Sequence, residues 1–105
     1  MALLPKPTTE VYEIHVEPIG DNTLSSMRWK LRAGTSSLST VLIAKDKAVE
    51  IDENTFQVIV STAPLSPGRL WLEIQMEVLD ANAPGGKRAK NMMFETEDDV
   101  VDGMF

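Results

Sequence analysis

Residues 69–78 read Arg-Leu-Trp-Leu-Glu-Ile-Gln-Met-Glu-Val, with an apolar residue at every even-numbered position. Successive side chains of a β-strand point to opposite faces, so a period of two, rather than 3.6, indicates an extended strand. The apolar face would carry Leu70, Leu72, Ile74, Met76 and Val78. The opposite face would carry Arg69, Trp71, Glu73, Gln75 and Glu77. This stretch therefore predicts a β-strand with one face in the core and one face in water.

The same period recurs at three other places along the chain. Its apolar members are Tyr12, Ile14 and Val16; Met27, Trp29, Leu31 and Ala33; and Phe56, Val58 and Val60. Residues 40–44 (Thr-Val-Leu-Ile-Ala) are apolar on both sides, which predicts a strand covered on both faces, and residues 89–96 predict a weaker last strand. Turn-forming Gly, Pro, Asn, Asp and Ser residues separate these runs. Six or seven short strands joined in this way predict an all-β domain, either a β-sandwich or a small barrel.

The length of 105 residues suffices for one domain. We expect residues 1–9, which include Pro5 and Pro7, to form an extended arm. Residues 10–96 would form the sandwich domain and residues 97–105 an acidic tail, and residues 96–99 could open one turn of helix where the tail begins. Five acids lie within the last eleven residues without a basic partner nearby in the sequence: Glu95, Glu97, Asp98, Asp99 and Asp102. The tail therefore holds most of the net charge of −6.

Composition excludes several classes of function. The chain has no cysteine, which removes disulfide frameworks, thiolate metal sites and cysteine nucleophiles, and favours an intracellular or virion setting. Neither the near-neutral body nor the acidic tail offers the dominant basic face that nucleic-acid binding requires. The N-terminal residues lack the pattern of a signal peptide, and no apolar run is long enough to span a membrane. We therefore expect synthesis in the cytoplasm and no nucleic-acid or membrane partner.

Charges on the wet faces suggest which strands are neighbours. The outward row Arg28, Lys30 and Arg32 is wholly basic. It could face an acidic row of Glu13 and Glu17, or one of Glu73 and Glu77, because opposite charges across a sheet are each worth about 0.2–1 kcal/mol. An arrangement of the immunoglobulin kind, with Trp29 buried on a central strand, favours the second row. We expect Glu73 and Glu77 to lie opposite the basic row.

Candidate catalytic or metal-binding residues are few. His15 is the single histidine, and its neighbours Glu13 and Glu17 place it on a solvated strand face, which is typical of a surface residue and not of a general base. The serines lack a nucleophile elbow, and the clustered acids lack a calcium-loop pattern. The sequence thus predicts no catalytic residue, no cofactor and no metal. Lys87, Arg88 and Lys90 form a small basic patch that could pair with the acidic tail, on the same chain or on a neighbouring subunit.

Trp71 is the strongest candidate for an interface residue. It lies on the polar face of the best strand, between Arg69 and Glu73, so it is either covered by a loop or a cross-strand Arg or Lys, or it binds a partner. Val100, Val101, Met104 and Phe105 place apolar side chains on an acidic terminus. They would either contact a partner or fold back as a last strand.

At residues 64–78, the Leu-x-Pro-Gly motif (residues 65–68) leads into the long alternating strand. A Gly-rich hairpin and another strand follow. This arrangement resembles the small immunoglobulin-like domains of bacteriophage tails. Such domains occur at the N-termini of baseplate upper proteins and tail fibres. The resemblance spans residues 10–96. It implies an immunoglobulin-like antiparallel β-sandwich without catalytic residues that attaches to other virion proteins, usually in symmetric oligomers.

Two functions follow as expectations. The first is a non-enzymatic structural or adaptor protein of a phage or prophage virion, which associates with other subunits or with copies of itself. The alternative is a small ligand- or carbohydrate-binding module that uses Trp71 as a stacking platform beside Arg69 and Glu73.

Overall fold

The computed structural model describes residues 2–103 and contains eight β-strands. They are β1 (Ala2–Pro5), β2 (Thr9–His15), β3 (Arg28–Ser36), β4 (Ser39–Ala44), β5 (Val49–Asp52), β6 (Thr55–Ser61), β7 (Gly68–Leu79) and β8 (Lys87–Val101). Short 3₁₀ turns occur at Lys45–Lys47 and Pro84–Gly86. The predicted all-β character is confirmed, with eight strands where six or seven were expected.

The strands form two sheets. One has the order β1-β8-β7-β3-β4, and the other has the order β2-β6-β5. Neighbouring strands are antiparallel except for β1 and β8, which are parallel. The protein is therefore a sandwich-like two-sheet structure and not a closed barrel, and its strand pairing is not wholly antiparallel.

The core lies between the two sheets, on the faces that the alternating pattern predicted. Its centre is formed by inward residues of β3, β6 and β7: Trp29, Leu31, Ala33, Phe56, Val58, Val60, Leu70, Leu72, Ile74, Met76 and Val78. The ring of Trp29 meets the ring of Phe56 edge-on, with centroids 5.2 Å apart, and so joins the two sheets. The indole N–H of Trp29 donates a hydrogen bond to the carbonyl of Leu24 (3.0 Å), which satisfies its polar atom inside the core.

The register of β3 against β7 confirms the predicted charge pairing. Arg28 lies opposite Glu77 and Arg32 lies opposite Glu73. The guanidinium of Arg32 is 2.8 Å from the Glu73 carboxylate, and Arg28 is 3.9 Å from that of Glu77. Trp29 is buried on β3, which has a neighbouring strand on each side.

Parts of the segments predicted as an arm and a tail, Ala2–Pro5 and residues 97–101, are strands of the five-stranded sheet. β1 pairs with the end of β8, from Ala2 opposite Asp98 to Pro5 opposite Val101. Leu4 and Val100 are buried, so both segments contribute to the core.

Two local predictions were wrong. Residues 96–99 form part of β8 and not a helical turn. Leu42 of β4 is 73% exposed, because no layer covers the outer face of the five-stranded sheet there.

Gly34 allows β3, β4 and β7 to approach one another. An added Cβ at this position would lie 2.7 Å from the carbonyl oxygen of Ser39, 2.8 Å from the side chain of Thr40 and 2.9 Å from the ring of Trp71. Backbone cannot move aside as a flexible side chain can, so any larger residue would push β4 away from β3.

We predict that Gly34→Ala lowers the free energy of unfolding by about 2–3 kcal/mol, through overpacking against the Ser39 carbonyl. The matched control is Gly20→Ala, which has open space around it but a φ of 62°. That control should cost about 1 kcal/mol, from backbone strain alone. Urea unfolding followed by circular dichroism measures both. A Gly34→Ala variant no less stable than Gly20→Ala would contradict the packing argument.

Candidate interaction surface

Trp71 lies on the outer face of β7, directly opposite Gly34 of β3 and Glu95 of β8. Its ring occupies the space that the missing side chain of Gly34 leaves open. The guanidinium carbon of Arg32 is 5.4 Å from the ring centroid, so a cross-strand cation covers the indole. Of the two environments predicted for Trp71, the structure shows the covered one, with the side chain half-buried.

The polar neighbours of Trp71 are paired within the chain. Glu73 binds Arg32, and the Nε of Arg69 lies 2.6 Å from the Asp99 carboxylate. The hydrogen bond and charge of Asp99 raise the pKa of Arg69 above its ordinary value. Asp99 therefore has a basic partner that is distant in the sequence. The candidate residues Arg69, Trp71 and Glu73 form one intramolecular polar surface on β7.

The other predicted interface residues divide between core and periphery. Val100 is buried beside Leu4, and Val101 is half-buried at the end of β8. They form a last strand, which was one of the two outcomes expected for them. Met104 and Phe105 lie outside the described residues.

The basic patch at the start of β8 pairs with acids of the β7–β8 hairpin. Lys87 lies 3.2 Å from Glu77, and Arg88 lies 3.0 Å from Asp80. The backbone N–H of Asn82 and the guanidinium of Arg88 lower the pKa of Asp80. Within the described chain, these two cations contact hairpin acids and not the acidic end of the strand, because that end lies at the far end of the same extended strand.

Apolar side chains that the sequence analysis did not single out face outward on both sheets. On the three-stranded sheet, Val11 lies opposite Ile59, and both are about half exposed (45% and 56%) with Val49 close by on β5. On the five-stranded sheet, Leu42 and Met93 flank the Arg32–Glu73 pair. The signal in the sequence was an apolar residue at a position that the alternation assigns to solvent, as at Ile59 between Val58 and Val60.

Tyr12 links β2 of the smaller sheet to β8 of the larger sheet. Its hydroxyl donates a 2.7 Å hydrogen bond to the carboxylate of Asp98 on β8. Burial, followed by the hydrogen bond and charge of Asp98, raises the pKa of Tyr12 well above its ordinary value of 10.0. An acid of the predicted tail thus helps to hold β2 against β8.

His15 lies on the exposed face of β2, as its sequence context indicated. Its Nδ1 is 2.9 Å from the hydroxyl of Thr55, and its Nε2 is 3.0 Å from the carboxylate of Glu17. Among residues 2–103, no group of three or more His, Asp or Glu side chains is placed to hold a metal ion. The same residues contain no helix with the length and apolarity to cross a bilayer.

Comparisons of this chain with protein-family models, with curated proteins and with solved structures give no match.

We predict that Arg32→Ala exposes Trp71, because Arg32 is the side chain that covers its ring. Tryptophan emission should shift to the red and acrylamide quenching should increase, while stability falls by no more than about 1 kcal/mol. Lys30→Ala removes a cation from the same face of β3 and is the matched control, since Lys30 lies opposite Gln75. Equal spectra for the two variants would argue against the stacking of Arg32 on Trp71.

We further predict that the phenol of Tyr12 ionises at a higher pH in the folded than in the unfolded protein. Tyr12 is the only tyrosine, so the absorbance of phenolate reports on it alone. Because its folded-state pKa is raised, its contribution to stability is complete below about pH 10 and falls as the pH rises further. Tyr12→Phe should remove this part of the alkaline loss of stability. An identical titration in urea and in buffer would refute the prediction.

Proposed function

We propose that this protein is a non-enzymatic structural or adaptor protein that acts by protein–protein association. The observation that carries the proposal is the set of large apolar side chains that face outward on both sheets, including Val11 and Ile59 on one and Leu42 and Met93 on the other. Outward apolar residues on both layers of a small domain are typical of a protein that buries them against partners.

The strand order supports an immunoglobulin-like fold for this module. In an immunoglobulin domain, strands B, E and D are neighbours in one sheet, and C, F and G are neighbours in the other. Here β2, β6 and β5 follow the first order, and β3, β7 and β8 follow the second. The burial of Trp29 on β3 and its packing on Phe56 support this proposal, because immunoglobulin domains bury a tryptophan on strand C.

The virion setting draws on the resemblance of residues 64–78 to phage-tail domains. Such modules serve as attachment points for neighbouring subunits, which agrees with a surface rich in apolar side chains. The carbohydrate-binding alternative has less support, because a stacking platform needs a free indole face and Arg32 covers that of Trp71.

Sedimentation velocity across the micromolar range, together with oligosaccharide titrations followed by tryptophan fluorescence, tests the proposal. We expect a mass that rises above the monomer with concentration and an emission spectrum that oligosaccharides leave unchanged. A strict monomer whose emission shifts and saturates with an oligosaccharide would replace the adaptor by the ligand-binding module.

A further inference from the structure

The outer face of the five-stranded sheet carries more cations than acids in the half nearest the β7–β8 hairpin. The charged strand residues there are the cations Arg28, Lys30, Arg32 and Lys87 and the acids Glu73 and Glu77. Glu73 binds Arg32. Glu77 is shared, because its carboxylate lies 3.9 Å from Arg28 and 3.2 Å from Lys87. Four cations against two acids leave two positive charges in excess.

Lys30 lies in the middle of this half of the face and has only uncharged residues directly across from it. Its neighbours are Ala44 on β4 and Gln75 on β7. The acids diagonal to it are Glu73 and Glu77, which already hold the other three cations. Within residues 2–103, Lys30 has no ion-pair partner of its own. Its exposed ammonium therefore carries a charge that the chain does not balance.

A groove of about 560 Å³ lies on this surface, and its lining includes Arg28, Lys30 and Lys87. We call it the basic groove. Ala89 lines it as well, and the short side chain of this exposed residue leaves the groove open above β8. A second depression of about 300 Å³ shares Lys30 with the groove and reaches Leu42. The combined surface is thus cationic at one end and apolar at the other.

We propose that the basic groove binds an extended acidic segment of a partner protein. Carboxylates of the segment would lie against Arg28 and Lys30, and its apolar side chains would cover Leu42 and Met93, which are 73% and 57% exposed. The excess positive charge selects a partner of the opposite sign. From Lys87 to Met93, β8 spans about 20 Å, which is the length of about six extended residues. The inference rests on the proposed function, since it names the chemistry of the partner.

Two other occupants fit the groove less well. A second copy of this chain would have to offer its acidic end, where Asp98 accepts a hydrogen bond from Tyr12 and Asp99 binds Arg69. Nucleic acid is bound by many cations that displace counterions from phosphates, and two excess charges displace few. An acidic peptide needs only those two.

Fluorescence polarisation with the full chain and a labelled peptide, Asp-Glu-Asp-Ser-Leu-Leu, tests the groove. The matched probe carries Asn, Gln and Asn in place of the acids. We expect the acidic peptide to bind with an affinity that falls as salt is added, because exposed charges are screened. The amide peptide should bind about tenfold more weakly, as the loss of two exposed charge contacts predicts.

Charge variants then locate the site. Lys30→Gln should weaken binding of the acidic peptide by about threefold. Glu77→Gln should strengthen it by a similar factor, because the variant removes the acid that competes for Arg28 and Lys87. Lys6→Gln is the matched control, since Lys6 lies at the far end of the sheet, where its backbone N–H donates to the Val101 carbonyl. That control should leave the affinity unchanged, and circular dichroism checks that each variant is folded.

Leu42→Ser tests the apolar end of the surface. It should weaken binding of the leucine-containing peptide by about threefold, because less apolar surface is buried. A peptide with serines in place of the two leucines should bind this variant and the parent protein equally. Equal losses for both peptides would show that Leu42 acts on the fold and not on the ligand, and would remove the apolar end from the proposal.

Three outcomes would overturn the groove: equal binding of the acidic and amide peptides, a loss in Lys6→Gln as large as in Lys30→Gln, or an oligonucleotide that displaces the peptide at lower concentration than unlabelled peptide does. If the chain still self-associates in such a case, the adaptor function stands and only the groove fails. A monomer that binds oligosaccharide and no acidic peptide would remove both.

Discussion

The alignment of β3 with β7 is the constraint on which the rest of the structure depends. These strands lie at the centre of the larger sheet, and their register places Leu31 opposite Ile74 in the core. The same register brings Arg32 to Glu73 and Gly34 to Trp71 on the outer face. A register shift of one residue would move every apolar side chain of β7 from the core face to the solvent face, so the hydrophobic pattern alone excludes that shift. A register shift of two residues would leave each side chain on its own face of the sheet, and the charges on the outer face disfavour that shift.

The two sheets differ in size, and this difference produces the exposed surface. β7 and β8 have twelve and fifteen residues, whereas the strands of the smaller sheet have four to seven. The smaller sheet therefore cannot cover the hairpin end of the larger one. Arg88 lies opposite Val78 and Lys90 opposite Met76, so these cations point to the inner face of β8, where their side chains stay exposed. The molecule is correspondingly elongated, with extents of 52 × 27 × 22 Å.

The sequence predicted the elements whose faces differ in polarity and missed those whose faces do not. The alternation at β3, β6 and β7 reports burial directly, because each of these strands has one face in the core. β8 lacks this alternation over residues 87–90. Its inner positions there are Arg88 and Lys90, which the second sheet does not cover. The pairing of β1 with β8 joins residues almost a whole chain apart, and no local pattern encodes a parallel partner. Likewise, Arg32 covers Trp71 only because the register of β3 against β7 brings the two side chains together.

An open edge is ordinarily a hazard, and charged residues along it discourage indiscriminate pairing. The charges on β8 are arranged by sign, with cations at its start and acids towards its end. A foreign strand of arbitrary sequence meets cations at one end and acids at the other, so few strands match both. The uncharged segment between them carries Met92 and Phe94, which pack against the core. β1 then limits how far any added strand can slide, because it occupies the edge from Asp98 onward. The short terminal strand that contributes Leu4 to the core thereby also limits the edge of β8 on which an added strand could pair.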